Sequence, residues 1–422
     1  MTWRRYPAYR DSGVAWLGEV PAEWQIRQLK YISSMKSGEG ITSDMLDEDG
    51  ETPVYGGNGL RGYTFGSTHD GDYILVGRQG ALCGNVHCVH GRFWASEHAI
   101  VVSTNAGICV PWLAFTLRAM DLNQYSFTAA QPGLAVDFIK TIRVAVPSEA
   151  DQHTIAAFLD RETARIDALL AKKERLIALL QEKRAALIGH AVTKGLDPSA
   201  PMKDSGIAWL GDVPAHWETL KLTRVASLHS GHTPSRLHPE YWKTCTIPWI
   251  SLGDVWQLRS GKMEYIEETK EKISELGLRN SAAELLPPGT VILSRTASVG
   301  FSGIMATSMA TTQDYANWVC GPRILPEYLL QVLRCMKQEF ERLMMGSTHQ
   351  TIYMPDIEAF RIPLPPIKEQ QEIVQKVRSL QQRSERLEDA IAESIRLAQE
   401  YRTALISAAV TGKIDVRGEV LA

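Results

Sequence analysis

The chain has 422 residues, a formal net charge of −3, and 44% apolar and 22% charged residues, the composition of a globular protein with two to three cored domains. The near-neutral charge gives no pointer to nucleic acid, and six scattered cysteines are too few for a disulfide framework and fit a reducing cytoplasm. No apolar run approaches the roughly eighteen residues of a membrane span, and "MTWRRYPAYR" has no apolar stretch behind its charges, so it does not read as a signal peptide.

Residues 1–24 hold the first distinctive motif, "DSGVAWLGEVPAEW" (11–24), which returns 193 residues later as "DSGIAWLGDVPAHW" (204–217). Residues 25–146 contain short apolar runs, "YILVG" and "AIVVS", separated by Gly, Asn, Ser and Thr, as in a compact α+β domain. A central region, 147–217, opens with "PSEADQHTI" and continues as a heptad pattern. Steps of four and three from Ile155 reach Leu159, Glu162, Ile166, Leu169, Lys173, Leu176, Leu180, Lys183 and Leu187. Residues 218–363 read as a second α+β domain ("TIPWIS", "TVILS"). Residues 364–422 repeat the helical pattern from Ile373 through Val377, Leu380, Ser384, Leu387, Ile391, Ser394, Ala398 and Tyr401 to Leu405. Each helix should run roughly 40 residues, about 60 Å at 1.5 Å per residue, and the matching seams make each the partner of the other.

The chain is therefore an internal duplication. "ALIGHAVTKGLD" (186–197) returns as "ALISAAVTGKID" (404–415), and Pro147, Asp151, Gln152 and Ile155 match Pro365, Glu369, Gln370 and Ile373. "YILVGRQGA" aligns with "TVILSRTAS" and places Arg78 over Arg295; the same offset lays Glu97-His98-Ala99 over Asp314-Tyr315-Ala316, and Gln131 falls over Gln350 at two residues more. The offset grows from 193 to 217 between residues 25 and 73, so the second copy carries about two dozen extra residues there. The repeat is also circular: the end of the second copy should meet the start of the chain and complete a second junction. Trp16, Leu17, Trp24, Trp209, Leu210 and Trp217 then read as packing residues of the two junctions, or as a grip for partner subunits.

No catalytic constellation emerges. Gly57, Gly59 and Gly62 satisfy G-x-G-x-x-G, but the turn-rich "YTFGSTHDG" follows where a dinucleotide site needs a helix. Cys83, His87, Cys88 and His90 could suggest zinc, yet the spacing is unusual and the second copy reads "GFSGIMAT" there. The Pro-Pro pairs lack the acid and aromatic neighbours of an amino-methyltransferase motif, and "MPDIEAF" lacks the acid-x-Lys of a metal-dependent nuclease.

The repeated "DSG.AWLG.VP..W" motif, the exits "VAVPSEADQHTI" and "IPLPPIKEQQEIV", and "STHQTIY" (347–353) resemble the specificity subunits of type I restriction-modification systems. The resemblance covers essentially the whole chain, with departures in the first copy, where "AAQPGLAV" replaces "STHQTIY" and Asp151-Gln152 replaces Glu-Gln. It implies an α+β protein of two target recognition domains joined by a long antiparallel coiled coil with pseudo-two-fold symmetry. It implies a non-catalytic, cytoplasmic subunit in which each domain reads half of a bipartite site in double-stranded DNA and the helices set the spacing. The implied partners are two methylation subunits and, for cleavage, restriction subunits; AdoMet, ATP and Mg²⁺ would sit on those partners and no metal or cofactor on this chain.

Candidate DNA contacts are loop residues able to fork onto bases or hold phosphates: Lys36, Arg61, Arg78 and Gln79 in the first domain, and Arg236, Arg295, Thr296, Ser298, Gln313, Tyr315, His349, Gln350 and Tyr353 in the second. The domains hold 9 basic and 11 acidic residues (25–146) and 15 of each (218–363), so phosphate attraction must come from local clustering or from partners. The alternative is a coiled-coil scaffold that binds no DNA.

Overall fold

The computed structural model describes residues 3–80, 82–126, 133–344 and 350–419. The chain divides into two units, 1–175 with 391–422, and 176–390.

In the first unit an antiparallel sheet is ordered Ser33–Ser37, Ala99–Thr104, Tyr73–Gly77, Val86–Val89. Its central strands are apolar on both faces because both are covered. Ile74, Val76, Ile100 and Val102 pack with Trp112, Leu113 and Leu117 of the helix Val110–Ala119. Leu75 and Val101 point the other way, towards Phe93 and Ala95 of a second sheet, as strand alternation requires. That second sheet is ordered Gly59–Thr64, Thr52–Gly56, Arg92–Ala95, His69–Asp70.

The second unit repeats the plan. Its main sheet runs Ala226–Ser230, Tyr315–Cys320, Val291–Ser294, Ser302–Met305, Tyr265–Ile266. Val291, Leu293 and Trp318 face the helix Pro326–Cys335, while Ile292, Met305 and Tyr315 face Ile250 and Val255. The smaller sheet is ordered Glu271–Ile273, Ile247–Ile250, Ala310–Thr311. The extra residues of this copy supply Glu271–Ile273, Tyr265–Ile266 and the turn Leu252–Gln257.

Each α/β segment closes on itself through a two-stranded clasp. Gln25–Gln28 pairs with Arg143–Val146, and Glu218–Lys221 pairs with Arg361–Leu364. Beyond each clasp a buried glutamine explains the exit motif. Gln152 accepts from the Cys109 N–H at 2.9 Å and donates to the Pro147 carbonyl at 3.1 Å. Gln370 accepts from the Leu325 N–H at 2.9 Å and donates to the Arg323 and Pro365 carbonyls at 3.0 and 2.9 Å.

The long helices span Glu149–Lys194 and Ile367–Val410. They run antiparallel: Asp167 pairs with Arg402 at 2.8 Å and Lys173 with Ser394 at 2.7 Å in the first unit, and Arg184 pairs with Glu388 at 3.1 Å in the second. The seam departs from the heptad reading. Leu169, Leu176, Leu187, Leu387 and Tyr401 are exposed, whereas Leu170, Ile177, Ile188, Glu388 and Arg402 are partly covered. At these positions the covered residue lies one further along, as a straight helix drifts against a strict seven-residue repeat, whereas Lys173, Leu180, Leu380, Ser384, Ile391, Ser394 and Ala398 stay at least partly covered as read. The middle of the pair is consequently joined by polar groups.

The tryptophan motif forms the same junction twice. Arg10 donates to the Ala22 and Trp24 carbonyls at 3.2 and 2.7 Å, and Lys203 to the Ala215 and Trp217 carbonyls at 2.8 and 2.6 Å. Trp24 and Trp217 are fully buried. Each faces a glycine after a long helix. Gly195 and Gly412 both have positive φ, and a Cβ on Gly412 would lie 2.4 Å from Pro21. The expected meeting of the segment after the second helix with the start of the chain is present: the Tyr9 hydroxyl donates to the Gly412 carbonyl at 2.9 Å, the Asp415 N–H to the Arg4 carbonyl at 2.8 Å, and Arg417 pairs with Glu23 at 3.3 Å.

Candidate nucleic-acid interface

The loop after each central strand is held by the same backbone bonds in both units. The Arg78 N–H donates to the His98 carbonyl at 2.9 Å and the Leu134 N–H to the Arg78 carbonyl at 2.9 Å. The Arg295 N–H donates to the Asp314 carbonyl at 2.8 Å and the Ile352 N–H to the Arg295 carbonyl at 2.9 Å. Bridges Gln79–Gly133 and Thr296–Thr351 extend the match. Structural counterparts are thus Arg78 with Arg295, Gln79 with Thr296, His98 with Asp314 and Leu134 with Ile352.

These pairings correct the sequence alignment by one residue in one place. His98 matches Asp314, and Ala99 matches Tyr315 as the first residue of its strand. Leu134 and Ile352 are 218 apart. Gln131 and His349 lie outside the described residues. A one-residue slip along a strand turns a side chain to the opposite face, and Tyr315 shows the consequence. It is fully buried, and its hydroxyl donates to the Ser251 carbonyl at 3.0 Å. Burial, with the charges of Asp254 and Asp314, holds that hydroxyl well above the usual tyrosine range. Tyr315 is a core residue and not a surface contact, contrary to the sequence expectation.

In the first unit an open cleft of about 650 Å³ is lined by Gly56–Arg61, Gln79, Gly80, Leu82, His98 and Gly133. The cleft brings Arg61 and Gln79 together. Arg78 lies beside it, half-buried; Lys36 is exposed on the edge strand and does not line it. His98 and its neighbour Glu97 were not among the sequence candidates. The signal for them was the start of "AIVVS" at Ala99, which puts His98 at the mouth of the loop.

In the second unit the corresponding loops converge around Arg295. Its guanidinium donates to the Gln313 carbonyl at 3.0 Å and the Ile352 carbonyl at 3.3 Å, so part of its donor set ties two loops together. The Thr233 hydroxyl donates to the Gln313 side chain at 2.8 Å, and the Ala297 N–H to the Gln350 carbonyl at 2.8 Å. Ala297 adopts positive φ between Thr296 and Ser298, a strained loop apex. Arg236 stands apart, paired with Glu271 at 3.3 Å and lying over the Trp242 ring at 4.6 Å. Tyr353 is exposed at the start of the short helix Met354–Glu358.

Among the described residues no group of three His, Cys, Asp or Glu gathers as a metal cluster. Burial pushes the Cys83 and Cys88 thiols up, away from the thiolate form that binds metal. No described helix is long and apolar enough to cross a membrane.

Comparison with known sequences decides the family. The type I restriction modification DNA specificity domain matches twice, over residues 21–178 and 214–397. The chain belongs to this family. It is 43% identical over 165 residues to the EcoprrI specificity subunit of Escherichia coli, a match covering 38% of this chain and 41% of that protein. A 27% match to the MjaIX specificity subunit of Methanocaldococcus jannaschii covers 39% of this chain and 38% of that one, so the chain spans about two fifths of these relatives. A putative specificity subunit of Haemophilus influenzae is 23% identical over 364 residues, 84% of this chain and 86% of the relative. Among solved structures, a chain of a type I R-M system superposes with a TM-score of 0.68 at 17% identity, covering 95% of this chain and 99% of that one. The HsdS subunit of Thermoanaerobacter tengcongensis gives 0.55 at 17%, covering 94% and 98%. The two family matches correspond to the two repeats derived from the sequence, and the specificity-family fold accounts for both clasped recognition segments.

Proposed function

We propose that this chain is the non-catalytic DNA-reading subunit of a type I restriction-modification enzyme, each α/β segment recognising one half of a bipartite duplex site. The observation that carries the reading is the repeated loop scaffold with changed side chains. Arg78 and Arg295 make the same backbone bonds, while Gln79 and His98 are replaced by Thr296 and Asp314. A frame held constant while exposed loop side chains diverge suits two readers of different sequences. Arg61, Arg78, Arg236 and Arg295 supply guanidiniums for phosphate or guanine, with Lys36, Thr296, Ser298, Gln313, Gln350 and Tyr353 as further contacts.

On this reading the two junctions dock two methylation subunits, and restriction subunits join for cleavage in the cytoplasm. AdoMet, ATP and Mg²⁺ serve the partners, and the paired long helices set the spacing of the half-sites. The test is a gel shift of the chain with its methylation subunits on a randomised duplex pool, followed by sequencing of the bound fraction. A bipartite consensus is expected; binding without sequence preference would refute the reading.

A further inference from the structure

We infer that Gln79 reads an adenine through a side chain oriented by His98 and Glu97, so that one A·T pair in the half-site of the first unit depends on this chain of contacts. The inference rests on the DNA-reading function proposed above.

The three residues form a continuous polar relay along the cleft wall. The Ile41 N–H donates to Glu97 Oε2 at 3.3 Å. Glu97 Oε1 lies 3.1 Å from His98 Nε2, and His98 Nδ1 lies 3.2 Å from Gln79 Oε1. The Gln79 backbone is itself bridged to Gly133. Glu97 is thus tethered by the main chain, His98 by Glu97, and Gln79 by His98.

The contact is made by the Nδ1–H form of His98: Nδ1–H donates to Gln79 Oε1, which keeps a second lone pair, and the Gln79 amide N–H₂ is not used. Gln79 lines the open cleft and so offers an amide N–H and an oxygen lone pair, the donor–acceptor pair that matches adenine N7 and N6–H₂. A free glutamine on a loop would lose rotamer entropy to present that pair; here neighbours already restrict it. A Cβ on Gly80, beside Gln79, would meet nothing. In the second unit the three positions are Gln313, Asp314 and Thr296, and Asp314 instead accepts from the Thr312 hydroxyl at 3.0 Å. The adenine dependence should therefore be confined to one half-site. Gln79 is the base-contacting residue; His98 and Glu97 position it.

The experiment is selection of bound duplexes from a randomised pool by the full chain assembled with its methylation subunits. Gln79→Ala is expected to flatten the preference at one adenine by about 10- to 100-fold, leaving the other half-site unchanged. Gln79→Glu should move that preference towards cytosine, whose N4 donates to a carboxylate. His98→Ala should weaken the same position only, and His98→Asn, which keeps a hydrogen-bonding atom near Nδ1, should restore it. Unchanged thermal unfolding and an unchanged second half-site certify folding of each variant. If the half-sites are read but no adenine responds to Gln79, the inference is overturned while the recognition function stands. If the unmutated complex selects no sequence at all, the function falls and this inference with it.

Discussion

Trp217 donates its indole N–H to Glu369 Oε2 at 3.0 Å, and the same oxygen lies 2.9 Å from His216 Nε2. At the other junction Trp24 Nε1 is buried with no hydrogen-bond partner among the described residues. The residue matching Glu369 is Asp151, one methylene shorter. Its carboxylate is engaged by the Ser148 hydroxyl at 2.9 Å in a cap at the start of the first long helix. The two copies thus differ by one satisfied indole.

That difference predicts opposite effects for two substitutions. Glu369→Ala leaves the Trp217 N–H orphaned and should cost about 1–3 kcal/mol. Asp151→Glu extends a carboxylate towards Trp24 and should add about 0.5–1.5 kcal/mol. Urea unfolding midpoints of the two variants measure both; a destabilised Asp151→Glu chain would refute the account of Trp24.

Gln152 and Gln370 should each be indispensable to their unit. Replacing either with Leu strands a backbone N–H and the carbonyls beside it, at about 1–3 kcal/mol per buried group left unpaired. Gln→Glu should be no better, because a carboxylate cannot donate to the carbonyls that the amide nitrogen now serves. Hydrogen exchange at Cys109 and Leu325 reports the local opening.

The polar seam gives a dependence on acid. Burial raises the Glu388 carboxyl, but hydrogen bonds from Ser384 and Gln181 and the charge of Arg184 outweigh it and hold the group below the usual range. A carboxyl lowered on folding contributes stability above its unfolded value, about 4.3, and loses it as pH falls through the folded value. Glu388→Gln should therefore be less stable than the parent chain at pH 6, with the difference shrinking as pH falls through the folded value and vanishing below it. Denaturation midpoints across that range decide it; a difference that persists in acid would assign the effect to packing.

The spacing role of the helices can be tested by insertion within the exposed stretch of each helix, away from the packed end near Ala191. Ala191 and Val192 are buried, and the Val192 carbonyl accepts from the Tyr328 hydroxyl at 3.2 Å. Four residues inserted after Ala178 and four after Asp389, both exposed, add about 6 Å to each helix. The spacer between half-sites should lengthen by one to two base pairs at 3.4 Å each, with both half-site sequences kept. An unchanged spacer in the selected duplexes would remove the helices as its determinant.

The duplication, the paired helices, the two α+β segments and the meeting of the segment after the second helix with the start of the chain were legible in the sequence, because repeats and periodicity are written in linear order. The exit motif was legible as a pattern, but the burial of Gln152 and Gln370 against distant carbonyls was not. Three features required tertiary structure. Strand register placed Tyr315 in the core, since a single residue of offset reverses the face and nothing local marks it. Helical drift moved the seam from Leu176 to Ile177 and from Leu387 to Glu388, which only the packed partner could select. The relay from Glu97 through His98 to Gln79 joins residues brought together by strand pairing, and composition and spacing carry no trace of it. Periodicity reports which elements form; which polar side chains meet depends on the register in which those elements pair.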